Sequence, residues 1–390
     1  MALAVLTVVL AVVPFAVHLE RRLDFDITGT YFVSDQTYES LGFERFYARG
    51  RFLTGFGAEI LLRDGPYDGQ YFLLLANDPL AKTMLETEQG RNSRFYRARR
   101  IAWSWLAWAI GAGRSDLVPW TLAMVQILTL GVAAWAVARV AVDRGTSPAW
   151  VLLFGPSLGT MVCLTRGVSD GFATSVLLVA CAAWHFRRYA TGAALFAVAV
   201  LAKEYLMLVP AVLGAVSVAS GWAPLARVTG KFAPRAAREN AAPLPAALSL
   251  CVVPAALAGW CGYLAATGPG LAIGNSNTGL PFVGILAWIG ASHPTNWEVI
   301  AGYATLLSLP VVILAAARWF DGFRLGAVAL VALAVVTNEE VWIEAWAYGR
   351  VHMTIPAMLL FTGVRGRRLD LVAPAAFALA GVVVWSRHVG

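Results

Sequence analysis

Asp64-Gly-Pro-Tyr-Asp68-Gly-Gln-Tyr-Phe-Leu-Leu-Leu-Ala-Asn-Asp78-Pro79 is a polar, carboxylate-bearing stretch in a chain that is otherwise mostly soluble in lipid. Gly65-Pro66 supplies turn chemistry, Gly69 supplies backbone freedom, and Gln70 to Leu75 reads as a short helix. The stretch lies in the longest non-membrane segment near the N-terminus. Asp68 is therefore expected on an exposed loop, held in place by a membrane scaffold.

Outward from that stretch, composition bounds the class. Of 390 residues, 59% are hydrophobic and 14% charged, and the mean hydropathy is +0.66. Soluble domains sit near roughly 25% charged. Apolar runs recur along most of the length, which predicts an all-α polytopic membrane protein, a single integral-membrane domain over 1–390. The alternating short segments of a β-barrel are absent. The net charge of +7 reads as Arg-rich cytoplasmic loops and gives no reason to expect nucleic acid. Cys163, Cys181, Cys251 and Cys261 all lie in apolar runs without metal spacing. Met1–Val17 lacks a basic leader and an Ala-x-Ala site, so it reads as a retained first span.

Apolar runs follow near 117–138, 149–165, 171–186, 190–202, 205–219, 245–266, 299–317, 325–337, 351–364 and 371–386. With the first span they predict a bundle of about 11 transmembrane helices. Residues 18–116 form a long first loop with juxtamembrane helices, and 117–390 the rest of the bundle. Ile101–Gly113, with Trp103, Trp105 and Trp108 behind a basic run, and Leu280–Gly290 are too short to span comfortably; the first suits a helix lying at the interface. With neither spanning and the N-terminus cytoplasmic, thirteen cations fall in cytoplasmic loops against four acids, as the positive-inside rule expects. This topology places Asp68, Asp78, Arg166, Asp170, Lys203, Glu204, the 267–298 loop, Glu339, Glu340, Glu344 and Arg350 on the extracytoplasmic face. Ionisable groups near membrane depth are costly, so their clustering predicts one polar cavity.

The order of these features resembles the GT-C superfamily of polyprenyl-phosphate-sugar-dependent glycosyltransferases. Tyr67-Asp68-Gly69-Gln70-Tyr71-Phe72, with Asp78-Pro79 downstream, is similar to the "YDGQFYY…DP" signature of bacterial membrane proteins of cell-surface glycopolymer formation. Arg97-Ala-Arg-Arg-Ile-Ala-Trp-Ser-Trp-Leu-Ala-Trp resembles the juxtamembrane helix before the second span. Leu201-Ala-Lys203-Glu204 resembles the Lys- or Arg-bearing helix end of that superfamily, and Tyr348-Gly349-Arg350 resembles the Arg that opens a late span. The resemblance implies a GT-C-like bundle in a bacterial plasma (inner) membrane with an extracytoplasmic active site. It also implies a polyprenyl-phosphate-linked sugar as donor, a glycan, lipid or protein as acceptor, and inversion at the anomeric centre. The superfamily often pairs two carboxylates in the first loop; here Gly69 follows Asp68, and Asp78 is the candidate second acid. The superfamily holds metal-free and metal-using members, and no closed ligand set for a divalent metal is visible.

Such transfer needs a base for the acceptor hydroxyl and cations for the departing phosphate. Asp68 fits the base; its plainer role is to cap the helix from Gln70. Asp78 before Pro79 equally suits a helix end. Arg350, Lys203 and Arg166 are the candidate donor-phosphate ligands. The plainer alternatives pair Arg350 with Glu344 or Glu340, Lys203 with Glu204 or another neighbour, and Arg166 with Asp170. Glu204, Gln70, Tyr67 and Glu344 are supporting candidates, and His293 lies on an outward loop. No Walker or Rossmann fingerprint occurs. The rival function is a transporter or flippase for a lipid-linked or polar substrate.

Overall fold

The computed structural model describes residues 1–49, 59–63, 67–86, 96–221, 242–267, 280–291, 296–318, 322–337, 341–342, 345–362 and 371–389. Among the described residues it is all-α apart from one parallel pair, β1 (Ala48–Arg49) with β2 (Glu59–Ile60), in which Ala48 faces Glu59. The N-terminal part carries α1 (Ala2–Leu23), α2 (Asp35–Ser40), α3 (Gly69–Asn77), α4 (Lys82–Glu86) and α5 (Ala102–Ile110). Then come α6 (Val118–Asp143), α7 (Leu158–Thr165), α8 (Asp170–His185), α9 (Tyr189–Ala202) and α10 (Leu208–Gly221). The C-terminal part holds α11 (Leu244–Ser249), α12 (Val252–Thr267), α13 (Val283–Gly290), α14 (Asn296–Arg318) and α15 (Gly322–Val335). It closes with α16 (Ala345–Val351), α17 (Thr354–Thr362) and α18 (Val372–Val389).

Among the described residues, three helical stretches are long and apolar enough to cross a membrane: α1, α6, and Leu244–Thr267, which joins α11 to α12. Shorter apolar helices include Tyr189–Ala202, Glu204–Ala219, Glu298–Leu314, Gly322–Val335 and Val372–Val383. At 1.5 Å per residue, the nine residues of α5 and the eight of α13 reach roughly 12–14 Å, under half of a hydrocarbon core of about 30 Å. Neither doubtful segment is long enough to cross.

Two expected spans are broken. The run 149–165 becomes a 3₁₀ helix, Pro148–Leu153, and then α7. Between them, a Cβ on Gly155 would run into the Thr7 carbonyl of α1, and Pro156 has no N–H to continue a helical ladder. The run 351–364 is interrupted at His352–Met353, between α16 and α17, so Arg350 ends one helix instead of opening another.

α8 packs against α6 and α9, α9 against α12, α10 against α15, and α14 against α18. α1 lies on α6 and touches α18, where the Trp385 indole Nε1 donates to the Pro14 carbonyl at 3.1 Å. α5 is held between α3 and α6 by its polar edges: Ser104 donates to the Phe72 carbonyl (2.9 Å) and Trp103 to the Leu122 carbonyl (3.0 Å). Trp103 is 1% exposed; truncating a ring so buried costs about 3–5 kcal/mol. The short helices of the first loop thereby become part of the bundle's core. They sit at one end of it, where α6 and α8 begin and α7 and α9 finish; His185 and Asp143, 2.8 Å apart, mark the other end.

A candidate active site built on three carboxylates

Asp68 occupies the N-cap of α3, yet its side chain makes no capping hydrogen bond. The carboxylate instead accepts from two guanidiniums. Oδ1 takes the Arg97 Nε hydrogen at 3.0 Å and Oδ2 takes Arg350 Nη2 at 2.6 Å. Its side chain is 18% exposed, so the site is partly open. Burial alone would raise this carboxyl, but Arg350 and Arg97 together outweigh it and hold it well below the usual carboxylate range.

Close backbone packing fixes where Asp68 sits. A Cβ on Gly69 would stand 2.5 Å from the Arg166 carbonyl oxygen and 3.1 Å from that of Gly167. Gly167 turns the chain from α7 into α8 at φ +57°, and a Cβ there would meet the Tyr31 ring at 2.5 Å. Tyr31 donates to the Pro119 carbonyl at the start of α6 (2.6 Å). Gly69 was expected to loosen the loop; its role is contact, because only a residue without a side chain lets α3 seat on this turn.

The second carboxylate, Asp170, is the first residue of α8 and 1% exposed. Lys203 Nζ approaches its Oδ1 to 2.7 Å, and Arg350 Nη1 lies 3.8 Å from Oδ2. Lys203 sits in an extended break between α9 and the 3₁₀ helix Glu204–Met207, at φ −158° and ψ 104°. The break turns its side chain inward; Ser169 secures the junction by donating to the Ala202 carbonyl at 3.2 Å. Lys203 therefore pairs with Asp170, not with its neighbour Glu204.

Glu204 is the third. Arg100 grips it bidentately, Nε to Oε2 at 2.9 Å and Nη2 to Oε1 at 3.0 Å, with Arg99 3.7 Å away. Arg100 also donates to the Tyr96 hydroxyl. The turn carrying these arginines is pinned to α12, where Trp260 Nε1 donates to the Ala98 carbonyl at 2.8 Å.

No family model matches this chain, and neither a curated protein nor a solved structure matches it. The chemistry of the site therefore rests on its geometry.

The structure brings Asp68, Arg350, Lys203, Glu204, Tyr67 and Arg166 into one neighbourhood. Aromatic rings alternate with guanidiniums along one side of it: Arg63 and Arg166 lie over Phe32 at 4.8 and 4.2 Å, and Arg166 and Arg350 lie over Tyr67 at 5.3 and 5.0 Å. Arg166 thus meets rings, while Asp170 meets Lys203 and Arg350. Gln70 is 1% exposed, and its Oε1 has no hydrogen-bond partner among the described residues.

Asp78 is placed elsewhere. It closes the far end of α3, and its Oδ2 accepts from the Thr83 backbone N–H at 2.6 Å, which anchors the start of α4. Ten residues of helical rise separate it from Asp68, roughly 15 Å. Glu344, Glu339, Glu340, His293 and Gly65-Pro66 lie outside the described residues, as does half of the 267–298 loop. Among the described residues no group of three His, Cys, Asp or Glu could hold a metal.

Sequence reasoning assigned Arg97 and Arg100 to an interfacial helix and Asp170 to a local salt bridge. The signal that would have recovered the arginines is their i, i+3 spacing, which points both along one helical face.

Such a site can do three things. It offers a carboxylate that becomes a base once its guanidiniums are drawn away. It offers guanidiniums that recognise a tetrahedral anion bidentately. It also holds a buried counter-charge, Asp170, to steady them.

Proposed function

We propose that the chain is a GT-C-type membrane glycosyltransferase that moves a sugar from a polyprenyl-phosphate donor to an extracytoplasmic glycan, lipid or protein acceptor. The observation that carries this reading is the double arginine clamp on Asp68, a carboxylate and two phosphate-binding groups within hydrogen-bond distance of each other.

The donor's phosphate takes Arg350 and Arg97, which neutralises the charges that hold the Asp68 proton affinity down. Asp68 then accepts the proton of the acceptor hydroxyl while that oxygen attacks the anomeric carbon. The bond from that carbon to the phosphate oxygen breaks, and the electron pair leaves with the polyprenyl phosphate. One displacement inverts the anomeric centre. The arginines stabilise charge that grows on the leaving phosphate, the term that preorganised cations serve best. Tyr67 and Arg166 form the wall beside Arg350, and Glu204 keeps Arg100 in register. Supporting the wider architecture, the apolar helices suit a bundle of about 11 spans with N-terminus cytoplasmic, in which the clustered end faces outward.

The transporter or flippase reading explains apolar helices and buried charges equally. Transporter sites characteristically lie near the bilayer midplane, between repeats. Here the charges gather at one end of the bundle, beneath the short helices of the first loop, which favours the enzyme. Transfer of labelled sugar from a polyprenyl-phosphate donor by the purified protein in lipid tests the proposal. No transfer by the wild type with any polyprenyl-phosphate sugar would overturn it.

A further inference from the structure

Arg350 touches two carboxylates from opposite sides: Nη2 lies 2.6 Å from Asp68 and Nη1 lies 3.8 Å from Asp170. The first contact is a close charged hydrogen bond. The second is an ion pair left slack, and neither Nη1 nor Nε of Arg350 has a hydrogen-bond partner among the described residues. Asp170 is meanwhile occupied by Lys203 at 2.7 Å. The five groups form a row of alternating charge: Arg97, Asp68, Arg350, Asp170, Lys203. A guanidinium with unspent donors between two carboxylates is shared by competition, and the cation on the far side of each carboxylate sets the balance.

We propose that Asp170 and Lys203 are positioning residues that decide whether Asp68 is masked. Asp170 is the second seat for Arg350, and Lys203 keeps that seat mostly filled. The Asp68 contact therefore wins in the unliganded protein, and an anion that draws Arg350 toward Asp170 bares Asp68. This assignment rests on the reading of Asp68 as the base only for its catalytic meaning. The competition itself is a property of the unliganded protein.

The test reads Asp68 directly. The full-length protein in detergent is treated with a water-soluble carbodiimide and an amine, and modification of Asp68 is quantified by peptide mass spectrometry. Lys203→Met leaves Asp170 short of a cation, so Arg350 moves onto it. Asp68 labelling then rises several-fold, because Arg350 no longer covers Oδ2. Asp170→Asn removes the second seat, Arg350 stays on Asp68, and labelling stays at or below the wild-type level. A purely structural role for this pair predicts that both variants loosen the site and raise labelling together. That outcome, or no rise in Lys203→Met, overturns the proposal. Should Asp170→Asn not be recovered from membranes, the double variant Lys203→Met/Asp170→Asn replaces it: without the second seat labelling falls back to the wild-type level, and labelling as high as in Lys203→Met overturns the proposal. Farnesyl phosphate added to the wild type separates the two claims. Opposite responses of the two variants, with no effect of farnesyl phosphate, uphold the competition and count against the lipid-phosphate donor.

Discussion

Gly69 and Arg166 meet backbone to backbone: there is room for a hydrogen at position 69 and none for a methyl group, because the Arg166 carbonyl oxygen stands 2.5 Å from where a Cβ would be. Asp68 is thus placed by a contact made next door. Its carboxylate reaches Arg350 only if α3 seats fully on the turn between α7 and α8.

Gly69→Ala is therefore expected to destabilise by about 1–3 kcal/mol, the usual cost of forcing a methyl into a packed interface. Thermal unfolding in detergent checks this. Because the shift displaces Asp68, the transfer rate should fall further than lost stability explains. A variant that melts and turns over like wild type would show that the seat is looser than described.

Asp68→Asn keeps the shape and removes the proposed base. The protein should fold, and turnover should drop by about 10²–10⁴, the range that general-base removal gives. Initial rates at saturating donor make the comparison, and equal turnover would remove Asp68 from the chemistry.

Acid should weaken the fold through the same group. The folded-state carboxyl of Asp68 titrates below its unfolded value, so its stabilising contribution is complete above the ordinary aspartate pKa of about 3.9. It is lost as pH falls through the depressed folded value. The melting difference between wild type and Asp68→Asn should stay constant from about pH 5 to 7 and shrink on acidification below about 4. A difference that already shrinks at neutral pH would contradict the double clamp.

Arg350→Ala leaves Asp68 with Arg97 and the 1% exposed Asp170 with Lys203, each carboxylate one cation short. Because neither charge is left unpaired, the loss is expected at about 3 kcal/mol, the low end of what breaking a buried pair costs. Arg350→Lys keeps the charge without the fork; it should recover much of that stability while the apparent donor KM stays raised. Donor titrations on the two variants check the split, and unchanged donor affinity in both would assign Arg350 to structure alone.

Arg100→Met breaks the bidentate grip on Glu204. Glu204 is 20% exposed, so water compensates in part, and a loss of about 2–3 kcal/mol is expected. A melting curve superimposable on wild type would mean that Arg99, 3.7 Å from the same carboxylate, takes over.

How much of this could be read from the chain alone follows from what hydropathy measures. Averages over a window located the apolar helices well, because each is a continuous run. They could not see the breaks at Gly155-Pro156 and His352–Met353, where two or four residues interrupt an apolar stretch without changing its mean. Asp68 stood out because the topology put it on one face with the other unusual charges and its flanking residues resemble the YDGQ signature; its residue type alone pointed to a helix cap. Lys203 was expected to pair with its neighbour, and Asp170 with Arg166, because adjacency is the only distance a sequence shows. In the folded chain the extended backbone at Lys203 and the left-handed turn at Gly167 send those side chains elsewhere. Arg97 and Arg100 looked like cations of an interfacial helix, since their i, i+3 spacing marks a shared face but not whether that face meets lipid phosphates or a carboxylate.

The two clamps on Asp68 differ greatly in how far away they are encoded. Arg97 follows after 29 residues and Arg350 after 282. At a synthesis rate of 5–20 residues per second, the second arrives roughly 15–60 s after Asp68 has left the ribosome. During biogenesis the carboxylate thus waits with one of its two guanidiniums, neutralised in charge but held from one side only. The second guanidinium arrives only when the last helices are made, so the Asp68 side chain takes its final orientation late in synthesis.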